Sequence, residues 1–220
     1  MRLPRQAAPI HGAGQLSLEQ GSEPQARERR LRLVHRDDAV GMPPLSRLAA
    51  ILIADVVAYA RHMAEDETGT HARLLAIFRD VIEPRMTREH GRIVKTTGDG
   101  FLAEFQSATR AAWFAVEFQG AARAWNARRR MGRWLDFRVG INLGDVIVEA
   151  HDIYGHSVNV ASRLQALAES GGVLVSHAVS LAVRDPRLSF EDVGDLALKN
   201  MNETVRGFRL RRSGDVPVRA

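Results

Sequence analysis

Leu48-Ala-Ala-Ile-Leu-Ile-Ala-Asp55-Val-Val57 is a continuous apolar, β-branched run with one carboxylate near its end. Alternation of apolar and polar residues would mark a strand with one wet face. Its absence here marks a central strand buried on both faces. Working outward, Thr68 to His90 carries helical periodicity through Leu74, Leu75, Ile77, Phe78, Val81 and Ile82. Pro84 should kink or divide that helix and Gly91 should end it. Arg92 to Thr97 and Phe101 to Phe105 read as two short strands joined tightly by Gly98-Asp99-Gly100. Ser107 caps a long helix reaching about Arg130. Phe137 to Val148 reads as a strand pair or one bent strand, broken near Gly144-Asp145. Ser157 to Glu169 is a helix stopped by Gly171-Gly172. Val173 to Val175 is a strand, Ser176 caps a short helix, and further strands fall near Phe190 and over Val205 to Leu210. This order predicts an α+β fold with a ferredoxin-like core: helices packed on a mostly antiparallel sheet.

The 220 residues suit one ordinary domain. Residues 1–44 hold five of the eight prolines and none of the thirteen aromatics, so they are expected to form a disordered tail with little to bury. The folded domain is expected over 45–212, with a short C-terminal tail at 213–220. The absence of cysteine excludes a disulfide scaffold, a thiolate nucleophile and a cysteine-ligated metal. The longest apolar stretch, Leu48 to Ala60, contains Asp55 and is too short to span a bilayer. No apolar run follows Arg2 and Arg5, so no secretory signal is read. A soluble, cytoplasmic protein is the resulting expectation.

Net charge is +5, which invites a nucleic-acid reading. Against it, the run Arg128-Arg129-Arg130 has no interleaved aromatic and ends a long helix, where cations suit the dipole. No nucleic-acid partner is expected. Only two of the 31 basic residues are lysine, Lys95 and Lys199. A chain that writes arginine almost everywhere has reason to keep a compact ammonium at those two positions.

Two carboxylates stand out. Asp55 interrupts a buried strand, where a charge is costly unless paired or bound to a metal; alternatively it caps the helix that follows. Asp99 alone reads as a turn aspartate. If their strands are neighbours, the pair suits Mg²⁺, which takes a few carboxylates plus substrate phosphates. A second constellation is Asp152-Ile-Tyr-Gly-His-Ser-Val-Asn159-Val-Ala-Ser-Arg163. Asn159 and Arg163 lie four apart and share one helix face. That face could hold a ribose and a phosphate, or it could be a solvated polar face.

Four segments together carry a resemblance: Ile53-Ala-Asp55-Val-Val-Ala-Tyr, Lys95-Thr-Thr-Gly-Asp99-Gly, Arg138-Val-Gly-Ile-Asn-Leu-Gly-Asp145 and Asp152 to Arg163. In order and spacing the stretch Arg47 to Leu210 resembles the class III adenylate/guanylate cyclase catalytic domain. The resemblance implies that Asp55 and Asp99 bind two ions of Mg²⁺ or Mn²⁺, that Lys95 and Asp152 read the purine edge, and that Asn159 and Arg163 act at the ribose and the transition state. It implies a phosphate contact for Lys199. It also implies a homodimer with two shared sites, metals held by one chain and the other contacts by its partner. Adenine offers an acceptor at N1 and a donor at N6. Lys95 only donates and ionised Asp152 only accepts, so ATP fits and GTP has the reverse polarity. The expected reaction is ATP to 3′,5′-cyclic AMP and pyrophosphate. The rivals are a catalytically silent nucleotide-binding or dimerisation module, a guanylate cyclase and a basic nucleic-acid binder. Ala58 stands where the family usually has Gly, Ala60 where a hydroxyl is common, and Asn200 where Gly is frequent. No sensor domain is read in the 220 residues, so regulation is expected from a partner, the tail, a small ligand or expression level.

Overall fold

Strand β1, Ser46–Val56, lies inside an eight-stranded sheet of order β2-β3-β1-β4-β6-β8-β7, with β5 paired to β4. The computed structural model describes residues 46–128, 134–149, 152–198, 201 and 204–215. The expected N-terminal tail, Lys199, Asn200 and most of the Arg128–Arg130 run lie outside these residues, as does the end of the C-terminal tail.

The other strands are β2 (Arg92–Thr96), β3 (Gly100–Phe105), β4 (Phe137–Glu149), β5 (Asp152–Tyr154), β6 (Val173–Ser176), β7 (Leu188–Ala197) and β8 (Thr204–Arg212). Every pairing is antiparallel except β4 with β6. The helices are α1 (Tyr59–Glu65), α2 (Glu67–Ile77), α3 (Glu83–Arg88), α4 (Ala108–Arg128), α5 (His156–Leu167) and α6 (His177–Ala182).

The unbroken apolar run of β1 is buried on both sides, as its composition requires. Ala50, Leu52, Ala54 and Val56 join the large core, with Phe101, Phe105, Phe114, Phe118 and Phe137. Ala49 and Ile51 join a smaller core with Leu102, Val146, Ile153 and Ala161. Helices α2, α3, α4 and α6 contribute to the first core, and α5 packs against the opposite face. Two helices on one face would have left one side of β1 uncovered. The α+β layout with a mostly antiparallel sheet is as the sequence predicts.

The helix expected over Thr68 to His90 is divided beside Pro84, as the proline predicts, by a π-helical turn, Phe78–Ile82; three other local features differ from the sequence reading. Proline lacks an N–H and its ring crowds the carbonyl four residues back, and a wider turn accommodates both. Helix α1 precedes it unannounced; Ala58, at its N-cap, sits in the left-handed region at φ 53, ψ 36. Strand β4 runs through Gly144-Asp145 without a break, because β1 pairs with it from Val56 to Ser46 and the ladder outweighs the weak strand preference of Gly and Asp. Ser176 stands at the α6 N-cap, but its hydroxyl makes no capping bond.

Candidate active site

Asp55 has Gly100 of β3 on one side and Arg138 of β4 on the other in strand register. The amide of Val56 donates to the carbonyl of Asp99 at 3.1 Å. The hairpin tip is thereby fastened to the end of β1, and the two aspartates share one edge of the sheet. Asp55 does not cap α1, whose N-cap is Ala58 with no side-chain bond. Instead Arg138 grips it in a bidentate pair, Nε to Oδ1 at 3.1 Å and Nη2 to Oδ2 at 2.9 Å. Burial pushes the Asp99 carboxyl above its ordinary value; its own amide and Arg138 oppose the shift, and the charge of Asp55 adds to it.

Burial is the larger cause of that raised carboxyl, and the charge of the converging Asp55 is a lesser one. A divalent ion between them would relieve it, so the donor set fits a hard cation. Among the described residues no group of three or more His, Asp or Glu could hold a metal by itself. Further oxygens must come from elsewhere, and the phosphates of a bound nucleotide are the natural source for Mg²⁺.

Lys95 of β2 and Asp152 of β5 are 57 positions apart and meet, Nζ to Oδ2 at 2.6 Å. Their side chains remain 46% and 24% exposed, so the pair stays accessible to a ligand. Lys95 holds the Asp152 carboxyl below its ordinary range against a small desolvation cost, with further help from the amide of Ile153 and the phenol of Tyr154. Asp152 is therefore an ionised acceptor at neutral pH, facing an ammonium donor.

Asn159 and Arg163 project from α5, the first exposed and the second half-buried. Neither side chain has a hydrogen-bond or ion-pair partner among the described residues. Val160, Ala161 and Leu164 on the other side of the helix are buried against the sheet. The structure thus brings together Asp55 with Asp99, and Lys95 with Asp152, and puts Asn159 and Arg163 on one face. Among the described residues no hydrogen bond or ion pair joins one of these groups to another. Asn159 lies about 10 Å along the axis from Ala166 at the far end of α5, at ~1.5 Å per residue, and Ala166 is where Arg138 and its partner Asp55 attach, through Nη1 to the carbonyl at 3.4 Å. Lys199 lies outside the described residues.

Two contributors escaped the sequence reading. Arg138 was visible only as part of a motif, because its partner is fixed by long-range strand register. Tyr154 sits two residues after Asp152, and its nearness to Lys95 needs the fold to be seen.

An α+β domain with an accessible donor–acceptor pair and a carboxylate edge is the class that fold and geometry define. The chain belongs to the adenylate and guanylate cyclase catalytic domain family, whose model matches residues 45–212. It is 44% identical over 160 residues to a Rhizobium meliloti (strain 1021) protein provisionally named adenylate cyclase 3, covering 72% of this chain and 27% of that one. It is 31% identical over 137 residues to an adenylate cyclase of Streptomyces coelicolor, covering 61% of this chain and 34% of the relative. The chain therefore spans about a quarter to a third of these two relatives. Among solved structures, an adenylate/guanylate cyclase/hydrolase from Silicibacter pomeroyi superposes with a TM-score of 0.70 at 37% identity, covering 76% of this chain and 98% of that one.

Proposed function

We propose that the chain is an adenylate cyclase that converts ATP to 3′,5′-cyclic AMP and pyrophosphate, at two sites each shared across a homodimer. The observation that carries the reading is the Lys95–Asp152 pair, an ammonium donor 2.6 Å from an ionised acceptor at an accessible strand edge. Adenine, with an acceptor at N1 beside a donor at N6, matches that polarity. Guanine reverses both groups and leaves both side chains mismatched.

Cyclisation is an in-line attack of the ribose 3′ oxygen on the α-phosphorus. Asp55 and Asp99 would hold the ions. The chemistry that Mg²⁺ or Mn²⁺, two per site, supplies when bound is acidification of the 3′ hydroxyl and neutralisation of charge on the leaving pyrophosphate. Asn159 orients the ribose. Arg163, without a protein partner among the described residues, is free to stabilise charge growing on the phosphoryl oxygens. Lys199 contacts the terminal phosphates. In this reading Asp55 and Asp99 serve one site while Lys95, Asp152, Asn159 and Arg163 of the same chain serve the other. No helix among the described residues is long and apolar enough to cross a membrane. ATP and Mg²⁺ suit a cytoplasmic setting, and residues 1–44 form a tail outside the catalytic domain at 45–212, with 213–220 as a second tail.

The test is direct. Purified protein with ATP and Mg²⁺ or Mn²⁺ yields cyclic AMP and pyrophosphate, and GTP is turned over at least ~10-fold less well. No cyclic AMP across a wide range of protein concentration overturns the reading.

A further inference from the structure

We propose that Asn142 is a positioning residue for Asn159: its buried amide ties the first turn of α5 to β4, so that the sheet sets where Asn159 meets the ribose. The inference rests on the adenylate cyclase reading and deepens it.

Side chains alternate along a strand. In β4, Phe137, Val139 and Ile141 are buried in the large core and Leu143 packs against it, which fixes the roll of the strand. Arg138, Gly140, Asn142 and Gly144 therefore share the other side, and each meets α5. Arg138 donates to the Ala166 carbonyl near the end of the helix. A Cβ on Gly140 would run into the backbone of Ala161 and Gln165, and one on Gly144 would come within 2.3 Å of the Ser157 hydroxyl. Strand and helix are thus in close contact from the first turn of α5 to its last.

Asn142 stands between those two glycines and is only 7% exposed. Its Nδ2 donates to the Ser157 carbonyl at 3.1 Å. Burying an amide is costly unless it is hydrogen-bonded, and packing alone would be served by an apolar residue of the same size. A carbonyl in the first turn of a helix already accepts from the amide four residues on. Its oxygen has a second lone pair, and Asn142 takes that one. The bond therefore rescues no orphaned helix group. What it adds is a tie between sheet and helix.

The tie falls where α5 is least secured by its own groups. Helix ends fray, and the N-cap here is Gly155, which has no side chain to bond the first-turn amides. Ser157 is buried against the sheet, and Asn159, two residues on, is exposed about half a turn further round. Arg163 lies more than a turn beyond, where Val160, Ala161 and Leu164 pack the helix down. Without the Asn142 amide the first turn can shift, and Asn159 shifts with it more than Arg163 does. The ribose is then held in the wrong place for attack, although the nucleotide still binds.

The experiment uses the full chain with Asn142→Leu, which keeps the volume and deletes the amide, and Asn142→Thr, whose hydroxyl is one bond too short to reach the carbonyl. The threonine is the milder change and serves if the leucine variant fails to fold. For each, kcat and KM for ATP are measured with Mn²⁺, alongside the melting temperature. Each substitution is then repeated in an Asn159→Ala background. The wild type yields cyclic AMP. Both variants lower kcat roughly tenfold or more, since a misplacement of about 1 Å costs up to ~10²-fold, while KM changes less than ~threefold. In the Asn159→Ala background the same substitutions lower kcat less than ~twofold, because the group they displace is gone. A wild type that makes no cyclic AMP overturns the adenylate cyclase reading and the role of Asn142 with it. A wild type that makes it while the variants keep its kcat overturns the role of Asn142 alone. Losses that multiply in the Asn159→Ala background, or a lowered melting temperature with kcat unchanged, do the same.

Discussion

Arg138 and Asp55 face each other across β4 and β1, and the guanidinium occupies both carboxylate oxygens, at 3.1 and 2.9 Å. Bidentate pairs of this kind are among the stronger charge-assisted contacts. Because Arg138 also reaches the carbonyl of Ala166, one side chain ties the end of β1 to the end of α5. Any cation that binds Asp55 competes with it. The two side chains are 30% and 23% exposed, which tempers the contribution through solvent screening. Replacing Arg138 by Met in chelated protein should cost about 1–2 kcal/mol in urea denaturation, since it strands a half-buried carboxylate beside Asp99. Mn²⁺ should then raise the melting temperature of the variant more than that of the wild type. Equal stability without metal would mean that the pair contributes nothing.

Ala58 carries a backbone strain that a glycine would not. Its φ of 53 lies in the left-handed region, which costs a residue with a Cβ roughly 1–2 kcal/mol. Part of the gain from glycine is lost to the entropy of the unfolded chain. Ala58→Gly should therefore stabilise the protein by about 1 kcal/mol. A urea midpoint below that of the wild type would contradict this. The same residue lies in the turn after β1, so KM for ATP in the variant reports whether this turn approaches the triphosphate.

Helix α5 lies close to β4 because Gly140 has no side chain. A Cβ there would meet the Gln165 amide at 2.2 Å and the Ala161 carbonyl at 2.3 Å, both backbone atoms that cannot swing away. Gly140→Ala should cost about 2 kcal/mol or more, in the range of overpacked cores. It should also lower activity, since it displaces the helix of Asn159 and Arg163. Gly120, inside α4, is the control: a Cβ there meets nothing within 4 Å. Gly120→Ala should stabilise by roughly 0.5–1 kcal/mol.

Asp99 gives a pH dependence whose sign follows from its raised pKa. Burial favours the neutral acid in the folded chain, and nearby Asp55 does the same. The folded state therefore binds its proton more tightly than the unfolded state, and the stabilisation is present at low pH. It is lost as pH rises through the folded value. In chelated protein Asp99→Asn should flatten this decline and exceed the wild type in stability at neutral pH. Denaturation curves across acid and neutral pH decide it; a steeper decline in the variant would reverse the assignment.

Some of this was legible in the residues and some was not, for physical reasons. The unbroken apolar run of β1 requires cover on both faces, and it has it. Gly98-Asp99-Gly100 between two apolar runs announces a hairpin. By contrast, β5 has three residues, too few for any period to register, yet it carries Asp152 and Tyr154. Gly144-Asp145 has turn composition, but pairing with Ala49 and Leu48 holds it in a strand. Lys95 with Asp152, and Asp55 with Arg138, are contacts between 57 and 83 positions apart. Only sheet order creates them, and local sequence does not encode sheet order.

The shared-site proposal is tested by complementation between two inactive chains. Asp55→Ala removes the metal side from both sites of a homodimer, and Arg163→Ala removes the transition-state side from both. Each alone should lose at least ~10²-fold in rate, the usual scale for a charge-stabilising group. Mixed in equal amounts, the chains assemble at random and about half of the dimers are mixed. In a mixed dimer one site carries both lesions and the other carries none. Activity should return to roughly a quarter of wild type, since half the dimers each hold one intact site of two. The recovery must need both proteins and rise with their concentration. Exchange between dimers is checked separately, by energy transfer between labelled chains. If exchange is seen and the mixture stays as inactive as its parts, the shared site is wrong. A site completed within one chain would then have to bring Asp55 and Arg163 together through α5, to which Asp55 is already tied by way of Arg138 and the carbonyl of Ala166.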